Sequence, residues 1–146
     1  GAAASVSLLS ACGKKSETIN STGSATATGE MTSHTPLMRG NEKISLLGYG
    51  CMRWPMMKNP EGRGEIVDQE QVNRLVDYAM EHGVNMYDTS PAYCQGQSET
   101  ATGNALKKYP RESYYLSTKL SNFSNYSREA SIAMYQQSLK ELQTET

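Results

Sequence analysis

The sequence predicts an α/β fold in which parallel strands alternate with helices. Beyond residue 43, three short apolar runs alternate with three segments whose apolar residues recur at helical spacing. Alternation of this kind is typical of βαβ units with parallel strands and right-handed crossovers. Two architectures fit the pattern, an open doubly wound sheet and a closed (β/α)8 TIM barrel.

The positions of the glycines favour the barrel. An open sheet of this class usually carries a glycine-rich phosphate loop between its first strand and first helix. Here Gly48-x-Gly50 is followed by Arg53 where that loop needs a glycine, and then by a long loop from Trp54 to Gly64. A complete barrel takes roughly 250 residues and eight strands. Residues 35–146 are therefore expected to form the amino-terminal portion of a (β/α)8 TIM barrel, about three βα units preceded by a β-hairpin.

The hairpin and the first strand are expected between Pro36 and Met52. Pro36-Leu37-Met38 and the run from Lys43 to Leu47 flank Arg39-Gly40-Asn41-Glu42, where Gly-Asn marks a turn. The second run continues into Leu46-Leu47-Gly48-Tyr49-Gly50-Cys51-Met52. This apolar run predicts a strand that is buried on both faces.

The first helix has the clearest signals. Asp68 is placed to cap it, with Gln71 three residues later as in a capping box. Gly83 supplies a left-handed stop. Its apolar residues share one face; they are Val72, Leu75, Val76, Ala79 and Met80.

The second and third units follow the same order. Val84 to Tyr87 is predicted as a strand, Ser98 to Lys108 as a helix closed by Tyr109-Pro110, and Tyr114 to Lys119 as the third strand. Ser127 caps a third helix. The residues expected to face inward from this helix are Ala130, Met134 or Tyr135, Leu139 and Leu142.

Residues 1–12 resemble the end of a bacterial lipoprotein signal peptide. Gly1 to Ser10 is small and apolar, and Leu9-Ser10-Ala11-Cys12 matches the lipobox, whose cysteine carries the lipid. No initiating Met and no basic region precede this run, so we expect the chain to begin within its own signal. Lipidation at Cys12 would anchor the protein to a membrane of the bacterial cell envelope, with a periplasmic or a cytoplasmic location as alternatives.

Composition limits the remaining possibilities. Residues 13–34 are rich in Ser, Thr and Gly and predict a flexible linker. The net charge of −1 gives no indication of a nucleic-acid partner. Cys51 and Cys94 lie far apart and form no CxxC pair, so neither a disulfide framework nor a metal site is predicted.

Three residues with complementary chemistry lie near the carboxyl ends of predicted strands. Asp88 ends the second strand, Tyr93 lies five residues later, and Lys119 ends the third strand. Strand ends of this kind meet at the active-site face of a barrel. A lysine cation beside a phenol lowers the phenol's pKa from about 10, and a carboxylate keeps the lysine charged. Together they would form a general acid for carbonyl reduction, although a capping aspartate and a solvated lysine remain the alternative.

The residues around these three resemble the aldo/keto reductase family. His82-Gly83-Val84-Asn85-Met86-Tyr87-Asp88-Thr89-Ser90 is similar to the signature G-[IV]-N-x-[FY]-D-T-[AS] that leads to the catalytic tyrosine. Gly96-Gln97-Ser98-Glu99 is similar to the G-x-S-E that follows. Leu116 to Lys119 resembles the strand that bears the catalytic lysine, and Leu47 to Met52 resembles the first barrel strand. The resemblance covers roughly Lys43 to Leu142.

This resemblance implies NAD(P)H-dependent reduction of an aldehyde or ketone, or the reverse alcohol oxidation. Tyr93 would be the proton donor, Lys119 the group that tunes it, and Asp88 the support for the lysine. The expected cofactor is NADPH, or NADH, and the expected partner is a small-molecule carbonyl substrate. The residues expected near the nicotinamide ribose are Gly50, Cys51, Met52 and Asp88.

Other parts of the family's site are not found in this sequence. The family's catalytic histidine, which ends the next strand, and its cofactor phosphate-binding residues would lie beyond Thr146. Neither His34 nor His82 is expected to replace that histidine. The fragment alone is therefore expected to be inactive, and an iron–sulfur cluster would be possible only in a further carboxyl-terminal region. A non-enzymatic relative that binds a nucleotide or a partner protein remains an alternative.

Overall fold

The computed structural model describes residues 32–36 and 43–146. The predicted signal segment, the lipidation site at Cys12 and most of the predicted linker lie outside the described residues and stay predictions. The turn expected at residues 39–42 also lies outside the described residues and stays a prediction.

The described elements follow one another in the order that the sequence predicts, with the addition of a second hairpin between the first parallel strand and the first α-helix. The strands are β1 (Thr32–Pro36), β2 (Lys43–Ser45), β3 (Tyr49–Gly50), β4 (Met56–Lys58), β5 (Glu65–Val67), β6 (Met86–Asp88) and β7 (Tyr115–Ser117). The helices are α1 (Gln69–Glu81), α2 (Ser98–Leu106) and α3 (Arg128–Glu141). No helix in this part of the chain is long and apolar enough to cross a membrane.

A parallel sheet forms the centre of the fold. Its strand order is β3-β6-β7, and both pairs are parallel. Each of these strands is followed by one of the three helices, so the prediction of three parallel βα units is confirmed. The register places Gly50 opposite Asp88 and Asp88 opposite Ser117, so that the three strands end level with one another.

The predicted hairpin is present, with shifted bounds. β1 pairs antiparallel with β2. β1 begins at Thr32 and so includes the last residues of the segment 13–34 that was predicted to be a linker. The side chain of Asn85 joins the hairpin to the start of β6, since it accepts from Ser45 N at 2.7 Å and donates to Lys43 O at 2.8 Å. The hairpin therefore lies at the amino-terminal end of the sheet.

The prediction of a single strand through Leu46 to Met52, buried on both faces, is wrong. Leu46 is 81% exposed, and the strand itself consists only of Tyr49 and Gly50. The chain then turns into a short 3-10 helix, Cys51–Arg53, which carries the Cys51 side chain into the core. Leu47 and Met52 are also 55% exposed, so the apolar composition of this segment overstated both the length of the strand and its burial.

The loop predicted from Trp54 to Gly64 contains a strand of a second hairpin. β4 pairs antiparallel with β5, and Gly64 at φ +87° and an Asn59 N to Gly64 O hydrogen bond of 3.0 Å close the turn. The side chain of Gln97 fixes this hairpin to the start of α2, because its oxygen accepts from Val67 N at 3.0 Å. Three-residue strands are too short to give a clear period in the sequence.

The terminal signals of α1 are confirmed. The Asp68 carboxylate accepts from Gln71 N at 3.0 Å, and Gly83 has a φ of +80°. Val72 and Val76 are fully buried on its inner face. Leu75, which shares the predicted apolar face with these valines, lies at the edge of the apolar stripe and is 37% exposed.

The core lies between the sheet and the first two helices. The Tyr87 side chain points to the helices and packs in one cluster with apolar residues of α1 and α2. Tyr49 stacks on Tyr87 at 5.8 Å and on Trp54 at 5.1 Å between ring centroids. Because side chains alternate along a strand, Met86 and Asp88 project from the other face of the sheet.

The third helix packs closely against the second. Ser127 caps α3 as predicted, since its hydroxyl accepts from Ala130 N at 3.2 Å. Met134 is half-buried and Tyr135 is 53% exposed, so Met134 is the inward-facing residue of these two candidates. Gly103 of α2 faces the carboxyl end of α3. A Cβ at Gly103 would lie 2.7 Å from Leu142 O and 2.8 Å from Glu141 O.

Replacing Gly103 with alanine is therefore expected to destabilise the protein. Alanine gains about 1 kcal/mol over glycine in a helix, but forcing an extra carbon against two backbone carbonyls costs about 1–3 kcal/mol or more. Urea unfolding of the full-length gene product measures the difference. The control is Gly62→Ala, where the nearest atom is a side-chain nitrogen at 3.6 Å. Equal stability of the two variants would contradict the close packing of α2 on α3.

Candidate active site

The carboxyl ends of the parallel strands bring two of the predicted catalytic side chains into contact. Lys119 Nζ lies 2.6 Å from Asp88 Oδ1 and also donates to Thr89 O at 2.9 Å. Both side chains are a little over 40% exposed, so the pair lies at the surface of the described residues. Lys119 follows β7 by two residues, and its ammonium reaches across to the end of β6.

The environment of Lys119 favours its charged form. Burial lowers the pKa of the Lys119 ammonium, but its contacts with Asp88 and Tyr93 raise the pKa by more, so the result lies above the usual value. The ammonium is therefore charged throughout the neutral range. It presents a fixed positive charge beside any group that shares this edge of the sheet.

Tyr93 is the third member of the group. Lys119 Nζ lies 4.8 Å from the centroid of the Tyr93 ring, within the range of a cation–π contact. Tyr93 begins a short turn in which Cys94 and Gln95 both have left-handed backbone angles, at φ 50° and 56°. Non-glycine residues rarely adopt such angles, and strain of this kind is concentrated at functional sites. The structure thus brings Asp88, Tyr93 and Lys119 together.

The residues predicted to lie beside the nicotinamide ribose occupy the end of β3. Gly50 is exposed and lies next to Asp88 in the register, and no heavy atom lies within 4 Å of the position that a Cβ would take there. Met52 has an exposed side chain. The Cys51 side chain is fully buried, and burial raises the pKa of its thiol to about 12. Cys51 is buried as a whole residue, and its carbonyl accepts from the Ser98 hydroxyl at 2.8 Å, so only Gly50 and Met52 of this segment are exposed to a ligand.

Four polar residues at this edge were not singled out for a role by their sequence pattern. Thr89 and Ser98 are fully buried and share a hydrogen bond of 2.8 Å between their hydroxyl oxygens. Glu99 is 4% exposed and accepts from the Thr118 hydroxyl at 2.6 Å. Two signals were available: each of the four lies in one of the family-like motifs of the sequence, and each lies directly after β6 or β7 or at the start of α2.

His82 lies at the opposite end of the fold. It ends α1 and stacks on Tyr78 at 4.0 Å between ring centroids, before β6 begins. A depression of about 830 Å³ also lies away from the site, lined in part by Tyr109, Arg111 and Tyr114. Tyr114 directly precedes β7, whereas Lys119 follows it. Asp88, Tyr93 and Lys119 therefore define the candidate site.

This part of the chain is similar to known proteins. Residues 46–146 match the model of the aldo/keto reductase family. The chain is 35% identical over 79 residues to the versiconal hemiacetal acetate reductase of Aspergillus parasiticus, and 35% identical over 80 residues to the NADH-specific methylglyoxal reductase of Escherichia coli K12. These alignments cover 53% and 55% of this chain, and 22% and 24% of those proteins.

A solved structure agrees in fold. The aldo-keto reductase of Bacillus halodurans in its holo form superposes with a TM-score of 0.56 at 30% identity, covering 75% of this chain and 36% of that one. The chain thus spans about a quarter of the curated relatives' length, and the prediction of a partial barrel is confirmed.

Proposed function

The chain belongs to the aldo/keto reductase family, and from this premise we propose that it forms the proton-donating part of the active site of an NAD(P)H-dependent reductase. The substrate is a small aldehyde or ketone, and the product is the corresponding alcohol. The observation that carries the proposal is the ion pair between Lys119 and Asp88, with the ammonium over the Tyr93 ring.

In this proposal Tyr93 is the general acid. Reduction adds a hydride, which is one proton with two electrons, to the carbonyl carbon and a second proton to the oxygen, and Tyr93 supplies that second proton from its hydroxyl. The phenol oxygen then bears a negative charge. Lys119 stabilises this charge with an ammonium that its environment keeps protonated. Catalysis of this type contributes about 10²- to 10⁴-fold to a rate.

Asp88 holds the lysine in place. Its carboxylate oxygen and the Thr89 carbonyl accept two hydrogen bonds from Lys119 Nζ, at 2.6 and 2.9 Å. These contacts fix the direction of the ammonium and leave its remaining donor free to face the phenol. The reverse reaction, alcohol oxidation, uses the same groups with Tyr93 as the proton acceptor.

The residues present fit the nicotinamide end of the cofactor. Gly50 offers exposed backbone beside Asp88, with open space where a side chain would lie. Met52 contributes an exposed apolar side chain next to it. NADPH or NADH bound here would supply the hydride for the carbonyl carbon. The Escherichia coli relative is named for NADH and for methylglyoxal, and a small carbonyl of that size is a reasonable first substrate.

A direct assay tests the proposal. The full-length gene product is mixed with NADPH or NADH and a panel of carbonyls that includes methylglyoxal, and oxidation of the nicotinamide is followed by absorbance. We expect oxidation that requires protein, cofactor and carbonyl together. Cofactor binding by fluorescence without turnover of any carbonyl would instead indicate a nucleotide-binding relative, and the absence of both would overturn the proposal.

A further inference from the structure

We propose that Ser98 and Glu99 are positioning residues that hold the ends of all three parallel strands at the spacing the reaction needs. This inference rests on the proposed function, because the strand ends matter for catalysis only if Asp88, Tyr93 and Lys119 act together. Both residues lie in the first turn of α2, directly after the Tyr93 turn.

Ser98 joins the first two strand ends. Its hydroxyl donates to Cys51 O at 2.8 Å, just beyond β3. Its oxygen also lies 2.8 Å from the Thr89 hydroxyl oxygen, just beyond β6. A serine hydroxyl has one hydrogen, which the Cys51 carbonyl takes, so Thr89 must donate to Ser98. All three residues are fully buried, and this chain of hydrogen bonds has one defined direction.

Glu99 joins the third strand end. Its carboxylate accepts from the Thr118 hydroxyl at 2.6 Å. A carboxylate that is 4% exposed is expensive to bury and needs hydrogen-bond donors. The amino-terminal turn of a helix is favourable for it, since free backbone N–H groups and the helix dipole face that end. The helix terminus therefore compensates for the cost of burying the Glu99 carboxylate.

Each anchored residue is adjacent in sequence to a residue of the candidate site or to Gly50, which is predicted to lie beside the cofactor. Cys51 follows Gly50, Thr89 follows Asp88, and Thr118 precedes Lys119. Two consecutive residues of one rigid helix therefore set the relative positions of the cofactor edge, the carboxylate and the lysine. A misplacement of about 1 Å in such a group costs up to about 100-fold in rate. Positioning is the function that this arrangement supports best.

The protein offers a matched interaction away from the site. Tyr109 donates its hydroxyl to the Asp77 carboxylate at 2.5 Å, which joins the end of α2 to α1. It is the same type of bond as the one from Thr118 to Glu99, a hydroxyl to a carboxylate of another element. Among the hydrogen bonds of the described residues, none joins Tyr109 to the candidate site. Tyr109→Phe therefore removes one such bond, and we expect this variant to change only the stability of the protein.

The test compares Thr118→Val, Thr118→Ser and Tyr109→Phe in the full-length gene product. Valine keeps the shape of threonine and loses its hydroxyl, whereas serine keeps the hydroxyl. We expect Thr118→Val to lower kcat roughly 10- to 100-fold with little change in KM. Thr118→Ser should retain most of the wild-type kcat. Tyr109→Phe should lower the unfolding midpoint by a similar amount and leave kcat within about twofold.

A second readout does not depend on turnover. The ¹⁵N NMR signal of the Lys119 ammonium, identified by its absence in Lys119→Met, reports on the bond to Asp88 in the cofactor-free protein. We expect Thr118→Val to shift and broaden this signal, and Tyr109→Phe to leave it unchanged.

The outcomes separate the two proposals. If the wild-type protein reduces no carbonyl, the proposed function fails and the NMR comparison still decides whether Glu99 and Thr118 position Lys119. If the wild type is active but Thr118→Val retains its kcat and its Lys119 signal, the positioning role is overturned and the reductase proposal stands. Equal loss of kcat in Thr118→Val and Tyr109→Phe would also overturn it, since stability alone would then explain both.

Discussion

Replacing Tyr93 with phenylalanine is expected to lower kcat for carbonyl reduction by about 10²- to 10⁴-fold. The substitution removes one oxygen atom and keeps the ring over which the Lys119 ammonium lies at 4.8 Å. In the proposed mechanism the hydroxyl supplies the proton, so the chemical step loses its general acid. The fold should not change, because Tyr93 is only half-buried and phenylalanine occupies the same space. Steady-state kinetics of the full-length gene product measures the effect.

Cofactor affinity provides the internal check on this variant. Tyr93→Phe should bind NADPH or NADH as tightly as the wild type by fluorescence titration. Tyr78→Phe is the matched control, because Tyr78 is 53% exposed on α1 and stacks on His82 away from the site. A Tyr93→Phe enzyme that retains the kcat of the control would remove Tyr93 from the mechanism.

Replacing Lys119 with methionine is expected to lower kcat to a similar extent, by about 10²- to 10⁴-fold. Methionine keeps the length of the side chain and removes the charge that, in the proposed mechanism, stabilises the phenolate after proton transfer. It also leaves the Asp88 carboxylate without the cation that lies 2.6 Å away. Because KM reflects cofactor and substrate contacts that the lysine does not make in the proposed mechanism, the loss should appear in kcat.

The pH dependence of the wild type gives a further check on the lysine. Its pKa in the folded protein lies above the usual value because of Asp88 and Tyr93, although burial opposes this. The stabilising effect of the charge is thus fully present below the unfolded-state pKa and is lost only as the pH rises through the folded-state pKa. The stability difference between wild type and Lys119→Met should therefore stay constant across neutral pH.

Lys107→Met controls for the loss of a lysine as such. Lys107 is exposed at the end of α2, and among the hydrogen bonds of the described residues its side chain makes one, to Asn104 Oδ1 at 3.2 Å. This variant should keep wild-type kinetics. If Lys119→Met also retained wild-type kcat, the ion pair with Asp88 would be structural and the proton-transfer proposal would lose its main support.

Local signals predicted most of the helical structure of this protein. The cap at Asp68, the left-handed Gly83 and the buried Val72 and Val76 each follow from short-range chemistry that the sequence carries directly. The approach of Lys119 to Asp88 was also predictable, because parallel strands place their carboxyl ends at one edge of the sheet.

Tertiary contacts account for what the sequence did not reveal. The strand at Tyr49–Gly50 is short because Cys51 turns into the core, which depends on packing against residues far along the chain. The bond from Ser98 to Cys51 joins residues 47 positions apart, and that from Thr118 to Glu99 joins residues 19 apart. Neither bond has a periodic signature, so only the fold shows that these polar residues share one edge.

The most direct test of the central claim follows the hydrogen atom from cofactor to product. NADPH or NADH that carries deuterium at the reacting carbon of the nicotinamide is incubated with a carbonyl substrate and the full-length gene product, and the alcohol is analysed by mass spectrometry. We expect one deuterium on the former carbonyl carbon with the wild type, and almost no product with Tyr93→Phe. An alcohol that forms without deuterium, or forms equally well without Tyr93, would contradict the proposed reaction.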